Sequence, residues 1–214
     1  MALKVMIVPV TPFAQNCTVL WDEDVRRATV IDPGGDVPRL RAALVDAGLQ
    51  VERILLTHGH VDHAGGAAEL AEALGVEVWG PHPGDADLLA ALVEQARRFG
   101  LAAARPVQPQ RWLSEGETVA IAGKPFTVLH CPGHTPGHVV FVAAEPRLAV
   151  VGDVLFRGSI GRTDFPYGDH DALVTSIREK LFPLGDEIRF LCGHGPGGTF
   201  GEERMSNPFV SGGA

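Results

Sequence analysis

The chain has little of what a membrane-spanning, secreted or nucleic-acid-binding protein needs. No 18 apolar residues run together, so no transmembrane helix is predicted. The stretch from Met1 to Val10 lacks the long apolar core and cleavage site of a signal peptide. The net charge is −8 and no Lys/Arg-rich run stands out, which disfavours nucleic acid as a partner. The three cysteines are too few, and odd in number, for a disulfide framework. These absences predict a cytoplasmic protein with reduced thiols and no membrane partner.

The composition is that of an ordinary globular chain of 214 residues, with 45% hydrophobic and 21% charged residues. Its 26 glycines and 16 prolines suit many short strands and tight loops better than a helical bundle. No low-complexity linker interrupts the chain, so we expect one domain over residues 1–214. Composition leaves a monomer and a small homo-oligomer equally open.

Strand and helix patterns alternate in the first half, which favours an α/β class. The predicted helices cover residues 37–47, 65–74, 85–99 and 169–181. An irregular loop is expected over residues 100–110. The predicted strands cover residues 4–10, 17–21, 27–31, 51–56, 76–79, 118–122, 125–130, 139–143, 147–151 and 188–192.

One short stretch carries an unusual density of metal-binding side chains. His58, His60, Asp62 and His63 lie within six residues, directly after the predicted strand at residues 51–56. Neutral imidazole and carboxylate are ligands of zinc and its first-row neighbours. A polar loop with solvated histidines is the plain alternative, but so dense a pattern is improbable by chance.

The second half adds single polar residues at the ends of strands. His134, Asp153 and His194 each stand among glycines, where the backbone can bend and an ion can approach closely. Five histidines and two aspartates are too many for one tetrahedral ion, but with one bridging carboxylate they suit two adjacent ions. Cys131 and Cys192 allow a competing Cys₂His₂ site, which would leave the first cluster without a partner.

The order of these motifs resembles the metallo-β-lactamase superfamily. It runs H-x-H-x-D-H, then P-G-H-T-P-G-H, then G-D, then G-H-G-P. Within that family the chain is most similar to short glyoxalase II-type hydroxyacylglutathione hydrolases, through TPFAQNC, LTHGHVDHAGG, LHCPGHTPGHVVF, GRTDFPYGDH and GHGPGGTFGEERMSNPF. The resemblance implies a four-layer αββα sandwich with a dinuclear metal site at one edge of the sheets.

The resemblance also implies a role for each candidate ligand. His58, His60 and His134 would bind the first ion, Asp62, His63 and His194 the second, and Asp153 both. Asp62 and Asp153 are assigned catalytic roles as well. The implied reaction is attack of a metal-bound hydroxide on the carbonyl of S-D-lactoylglutathione or a related thioester, giving D-lactate and glutathione. Two divalent ions are expected, zinc first, although iron and manganese fit the same ligands.

Substrate binding is assigned to Arg162 and Tyr167. In the longer glyoxalase II enzymes a basic residue in the corresponding stretch contacts glutathione, so Arg162 would bind a glutathione carboxylate, with a structural salt bridge as the alternative. Asp32 is either a turn former or an acceptor for a ligand histidine. His138 is expected to support the site rather than bind an ion. The same is expected of His130, whereas His82 and His170 are expected on the surface or in loops.

The chain departs from the longer enzymes at its end. About 16 residues follow Gly198, too few for the C-terminal helical domain that supplies much of their glutathione site. We therefore expect glutathione to be held differently here.

Two alternatives stay open: a persulfide dioxygenase with one Fe(II), which shares the fold and a G-R-T-D-F stretch, and a non-catalytic metal-binding module. True β-lactamases with two zinc ions commonly use a cysteine ligand where this chain has Asp153. RNA-processing relatives usually carry an RNA-binding exosite, for which no sequence signal is found.

Overall fold

Two β-sheets form the centre of the molecule, which a computed structural model describes over residues 2–101 and 104–211. The first sheet contains, in spatial order, β1 (Leu3–Val10), β2 (Gln15–Asp22), β3 (Arg27–Ile31), β4 (Gln50–Leu55) and β5 (Glu77–Trp79). β1 to β3 pair antiparallel, and β3 to β5 pair parallel. The last four residues of β3 are all buried, as expected for a central strand covered on both faces.

The second sheet has six strands and comes from the second half of the chain. Its spatial order is β13 (Gly198–Thr199), β12 (Arg189–Cys192), β9 (Leu148–Gly152), β8 (Val139–Ala143), β7 (Lys124–His130) and β6 (Thr118–Ile121). β12 pairs parallel with β9, and the other neighbours pair antiparallel. A small hairpin of β10 (Leu155–Phe156) and β11 (Ser159–Ile160) follows β9.

Helices cover the outer face of each sheet. The first half contributes α1 (Val37–Asp46), α2 (Val61–Ala64), α3 (Ala67–Leu74), α4 (Ala86–Ala90) and α5 (Leu92–Phe99). The second half contributes α6 (His170–Thr175) and α7 (Phe200–Ser206). A π-helical turn at Ser176–Leu181 and a 3₁₀ turn at Phe182–Leu184 continue α6, and a 3₁₀ turn at Pro83–Asp85 precedes α4. None of the helices within the described ranges is both long and apolar enough to cross a membrane.

Three apolar cores separate four layers. Val30 packs with Leu40 of α1 in the first core, whereas its neighbour Ile31 faces the core between the sheets. Phe141 lies in that central core, and the adjacent Val140 faces the helices of the second half. Successive residues of a strand point to opposite faces, so each sheet contributes side chains to two cores. The four-layer αββα sandwich and the α/β class are confirmed.

Some helix predictions were wrong in detail. The helix expected over residues 85–99 is divided, because Ala91 lies outside helical geometry at φ −89° and ψ 9°. The helix expected over residues 169–181 becomes π-helical from Ser176. The β10–β11 hairpin and α7 were not predicted. Residues 102 and 103 of the expected loop at 100–110 lie outside the described residues.

Strand ends from both sheets meet at one edge. Val139, at the start of β8, donates its backbone N–H to the carbonyl of Thr57, which follows β4, at 2.8 Å. Gly193, after β12, donates to Gly152 at 2.8 Å and accepts from Asn16 of β2 at 2.7 Å. These backbone bonds bring the loops with the predicted metal ligands to one place.

Candidate metal centre

Three histidine nitrogens converge beside the end of β4. His58 Nε2 lies 3.1 Å from His60 Nδ1, and His134 Nε2 lies 3.0 Å from the same atom. All three side chains are buried. Their spacing fits one ion bound by three imidazoles. We name these residues the first triad.

Asp62, His63 and His194 form a second triad beside it. His194 Nε2 lies 3.3 Å from Asp62 Oδ2, and His63 Nε2 lies 3.9 Å from the same oxygen. Asp62 and His63 sit in α2, whereas His194 comes from the loop after β12, so the two halves of the sandwich build this triad together.

The carboxylate of Asp153 faces both triads. Its Oδ1 lies 3.3 Å from His63 Nε2, and its Oδ2 lies 3.6 Å from both His134 Nε2 and His194 Nε2. His63 Nε2 and Asp153 Oδ1 are buried and have no hydrogen-bond partner. Buried polar atoms are rarely left in this state, and a cation between the triads would satisfy both. A Cβ atom added to Gly193 would collide with Asp153 Oδ1, so glycine is required for this close approach.

Each candidate histidine has its other ring nitrogen beside an oxygen atom. His58 Nδ1 lies 3.0 Å from Thr57 Oγ1, His63 Nδ1 2.9 Å from Asp32 Oδ2, and His134 Nδ1 2.8 Å from the carbonyl of Arg162. His194 Nδ1 lies 3.3 Å from the Phe13 carbonyl, and His60 Nε2 lies 2.8 Å from the Tyr167 hydroxyl. Such contacts set ring orientation in metal sites and leave the opposite nitrogen free to bind an ion.

Burial sets the protonation of the first triad. Desolvation by burial, together with the neighbouring histidines, lowers the pKa of His58 well below its ordinary value and that of His60 to about 3. Burial also lowers the pKa of His134. Neutral imidazoles offer lone pairs to a cation near neutral pH.

The carboxylates have the opposite effect on the second triad. Burial alone would raise the pKa of Asp153, but His63, His134 and His194 hold it far below its usual range. His63 has its pKa raised despite burial, because Asp153 and Asp62 lie close. The pKa of His194 is raised by Asp62 and Asp153, again against burial. Positive charge is therefore stabilised at this triad, whether a proton or a cation supplies it.

Asp32 has the acceptor role that the sequence left open. Besides His63, its carboxylate accepts from the Thr57 backbone N–H at 2.7 Å and from the Thr57 hydroxyl at 2.6 Å. It also adopts φ 55°, so it forms the turn as well. Asp32 thus contacts His63 of the second triad directly. It contacts the first triad through Thr57, whose hydroxyl lies beside His58.

Asp85 is a buried carboxylate that sequence reasoning missed. It accepts from the backbone N–H of Gly59 at 2.7 Å, from the Thr135 hydroxyl at 2.8 Å and from the backbone N–H of Gly137 at 2.6 Å. Gly59 lies between His58 and His60, and Thr135 follows His134. Asp85 thus joins the two loops of the first triad. The only sequence signal was an acidic residue after Pro83-Gly84, just before a helix.

The start of β2 holds the loop of the second triad. Asn16 Nδ2 donates to the carbonyls of Cys192 at 3.0 Å and Gly195 at 2.8 Å, on either side of His194. Gln15 forms an isolated bridge with His194. This accounts for the TPFAQNC stretch, to which the sequence gave no role.

Arg162 and Tyr167 lie beside the first triad, with their side chains already in contact with protein groups. The Arg162 guanidinium forms two hydrogen bonds with Asp164, at 2.9 and 2.8 Å, which is the salt bridge considered as an alternative. The Tyr167 ring stacks on Phe165 at 5.4 Å. Their substrate-binding roles stay predictions.

The remaining histidines and cysteines stand outside the triads. His138 stacks on His58 at 4.6 Å, and its Nε2 accepts from the Asp153 N–H at 3.0 Å, so it supports the site. His130 stacks instead on His82, at 4.0 Å. Burial raises the pKa of Cys131 to about 12 and that of Cys192 to about 11. No candidate metal group within residues 2–101 and 104–211 includes a cysteine, so the Cys₂His₂ alternative was wrong.

Known proteins resemble this chain along nearly its whole length. A family model described as the Metallo-beta-lactamase superfamily matches residues 10–194. Hydroxyacylglutathione hydrolase GloC of Haemophilus influenzae is 48% identical over 210 residues, covering 98% of this chain and 99% of that protein.

Two crystal structures are also similar. One is BLEG-1 B3 metallo-beta-lactamase, with a TM-score of 0.90 and 34% identity, covering 98% of this chain and all of the other. The second is TTHA1623 in a di-iron-bound form, with a TM-score of 0.88 and 41% identity, covering 96% of this chain and all of the other.

Proposed function

The chain belongs to the metallo-β-lactamase superfamily, and on that premise we propose that it is a hydroxyacylglutathione hydrolase with two divalent cations. The observation that carries this proposal is the arrangement of the five histidines: each has one nitrogen against an oxygen atom and the other turned toward the triads. The similarity to GloC supports a glutathione thioester as the substrate.

The first ion is assigned to His58, His60 and His134, and the second to Asp62, His63 and His194, with Asp153 shared. Zinc is the first choice because imidazole and carboxylate suit it, and iron and manganese accept the same ligands. A di-iron form of a similar protein makes iron a real competitor. We further propose that the protein works in the cytoplasm, where thiols are kept reduced.

Two bound cations would supply Lewis acidity and an ionised water near neutral pH. The protein's own part is orientation. Asp32 holds the ring of His63, and the Arg162 carbonyl holds that of His134. Asp62 and Asp153 are held ionised by the histidines around them, so both can accept hydrogen bonds from a water between the triads. A thiolate leaves readily, and the reaction therefore needs no side chain to protonate it. The products are a 2-hydroxy acid, D-lactate from the expected substrate, and glutathione.

The test is a substrate panel with metal quantification. Close to two ions per chain and hydrolysis of S-D-lactoylglutathione are expected. The panel also contains glutathione persulfide, a β-lactam and a phosphodiester. One tightly held iron with oxygen consumption on glutathione persulfide would replace the proposal by the dioxygenase alternative. Turnover of the β-lactam alone would favour the activity named for BLEG-1.

A further inference from the structure

The last turn of α5 lies at the rim of the metal centre. Gln95 fastens this helix to the loop of the first triad, because its Oε1 accepts from the Val61 N–H at 3.0 Å and its Nε2 donates to the Gly59 carbonyl at 3.1 Å. Residues three and four positions further on share a helix face. Arg98 and Phe99 therefore lie on the side of α5 that faces this loop.

Phe99 extends the rim toward the second triad. Its ring meets the ring of Phe13 edge-on, with centroids 6.0 Å apart. The carbonyl of Phe13 is the oxygen beside His194 Nδ1. Both rings are nearly half exposed, at 44% for Phe13 and 46% for Phe99. An apolar wall thus runs from the end of α5 to His194.

Arg98 stands next to Phe99 on this face of α5. Its guanidinium carbon is 5.9 Å from the centroid of the Phe99 ring, and its side chain is exposed. Its positive charge therefore lies where the apolar wall meets the helix turn that Gln95 fastens to the loop of the first triad.

Nearby arginines already have acidic partners. Arg162 pairs with Asp164, Arg97 with Glu94 and Arg105 with Glu72. Arg98 forms neither an ion pair nor a hydrogen bond with any residue in the described part of the chain. A guanidinium without an acidic partner offers a planar set of donors that matches a carboxylate.

We propose that Arg98, beside the wall of Phe13 and Phe99, is the anion subsite that binds a carboxylate of the glutathione portion of the substrate. This inference rests on the proposed function and names a residue that would hold the glutathione portion of the substrate. The apolar wall excludes water from one side of the ion pair and receives the methylene groups of the peptide.

The kinetic test compares Arg98→Ala with Arg97→Ala as the matched control, since Arg97 is the adjacent exposed arginine with its own partner. For S-D-lactoylglutathione we expect KM to rise about three- to fivefold in Arg98→Ala with kcat unchanged, the range of an exposed charged pair. The KM for S-D-lactoylglutathione should be unchanged in Arg97→Ala. The KM for a small uncharged thioester should be unchanged in both variants. Raising the salt concentration should raise KM in the wild type more than in Arg98→Ala. An unchanged KM in Arg98→Ala would overturn the subsite.

A binding measurement separates this inference from the proposed function. S-methylglutathione is a thioether that cannot be hydrolysed, so its affinity for the metal-loaded protein can be measured by calorimetry whether or not the thioester is turned over. We expect Arg98→Ala to bind it about three- to fivefold more weakly than the wild type and Arg97→Ala to bind it equally well. Equal binding by Arg98→Ala, or no binding by the wild type, removes the subsite. Failure of the wild type to hydrolyse S-D-lactoylglutathione removes the proposed function instead.

Discussion

Asp85 shows how a residue that binds no ion can determine the geometry of a metal centre. Its side chain is fully buried, and its three donors belong to the two loops that carry His58, His60 and His134. Burial raises the pKa of Asp85, while the three hydrogen bonds oppose that rise. A carboxylate can accept all three bonds at once, whereas an amide offers one oxygen and turns an NH₂ group toward the remaining donors.

Asp85→Asn should therefore loosen the first triad selectively. We expect the affinity of the first ion to fall about tenfold or more, the usual range for outer partners of metal ligands, with the second ion little affected. Titrating the metal-free protein with Co²⁺ and Zn²⁺ against a chromophoric chelator measures the two affinities, and the visible Co²⁺ spectrum reports the ligand geometry. Asp87→Asn, an exposed neighbour, is the control. An equal loss at both ions would mean that Asp85 acts only on overall stability.

The seven candidate ligands could be predicted from residue type and spacing, but their supports mostly could not. His58, His60, Asp62 and His63 are close in sequence, and imidazole and carboxylate identify themselves chemically. The oxygens beside His134 and His194 are backbone carbonyls of Arg162 and Phe13, which any residue type would offer. Such contacts depend on folding and leave no mark in composition.

At the level of elements, strand ends were easier to predict than helix continuity. β4 and β9 are apolar runs that stop at polar clusters, so their ends were placed correctly to within a residue or two. The break at Ala91 and the π-helical turn after α6 come from tertiary packing. Neither position has a glycine or proline from which the irregularity could be predicted. α7 was missed although its start carries a recognisable cap.

That cap can be tested by itself. Thr199 Oγ1 accepts from the Glu202 N–H at 3.2 Å, and Glu202 Oε2 accepts from the Thr199 N–H at 3.1 Å, which is a capping box. Thr199→Ala should lower the free energy of unfolding by about 1 kcal/mol, and urea denaturation measures it. Thr199→Ser keeps the hydroxyl and should lose much less. Equal losses in the two variants would mean that the methyl group of Thr199, not the cap, stabilises α7.

For the whole molecule, the candidate metal centre joins the two sheets at one edge. The three apolar cores pack the sheets against each other and against the helices. Bound ions stabilise only the folded chain, by about 2.7 kcal/mol per ion at a free concentration one hundred times the dissociation constant. A chelator should therefore lower Tm by about 5 °C or more, since 1 kcal/mol corresponds to about 2–4 °C at this size. Scanning calorimetry with and without added Zn²⁺ measures this.

The control for the chelator experiment is the double variant His58→Ala/His194→Ala, which removes one ligand from each triad. Its Tm should respond little to chelator or to added metal. A chelator effect of equal size in this variant would place the stabilising ion somewhere other than the proposed centre. The single-domain organisation over residues 1–214 stays a prediction, and one cooperative transition in these scans would support it.

The contact between the start of β2 and the loop of His194 has a consequence for synthesis. Asn16 leaves the ribosome early, but its partners Cys192 and Gly195 lie 176 and 179 residues further along. A nascent chain that stops before His194 contains all residues of the first triad but only Asp62 and His63 of the second. In such a chain Asn16 also lacks the Gly195 carbonyl as a hydrogen-bond partner. In the proposed two-ion centre, the second ion therefore has its full set of ligands only once synthesis has passed His194.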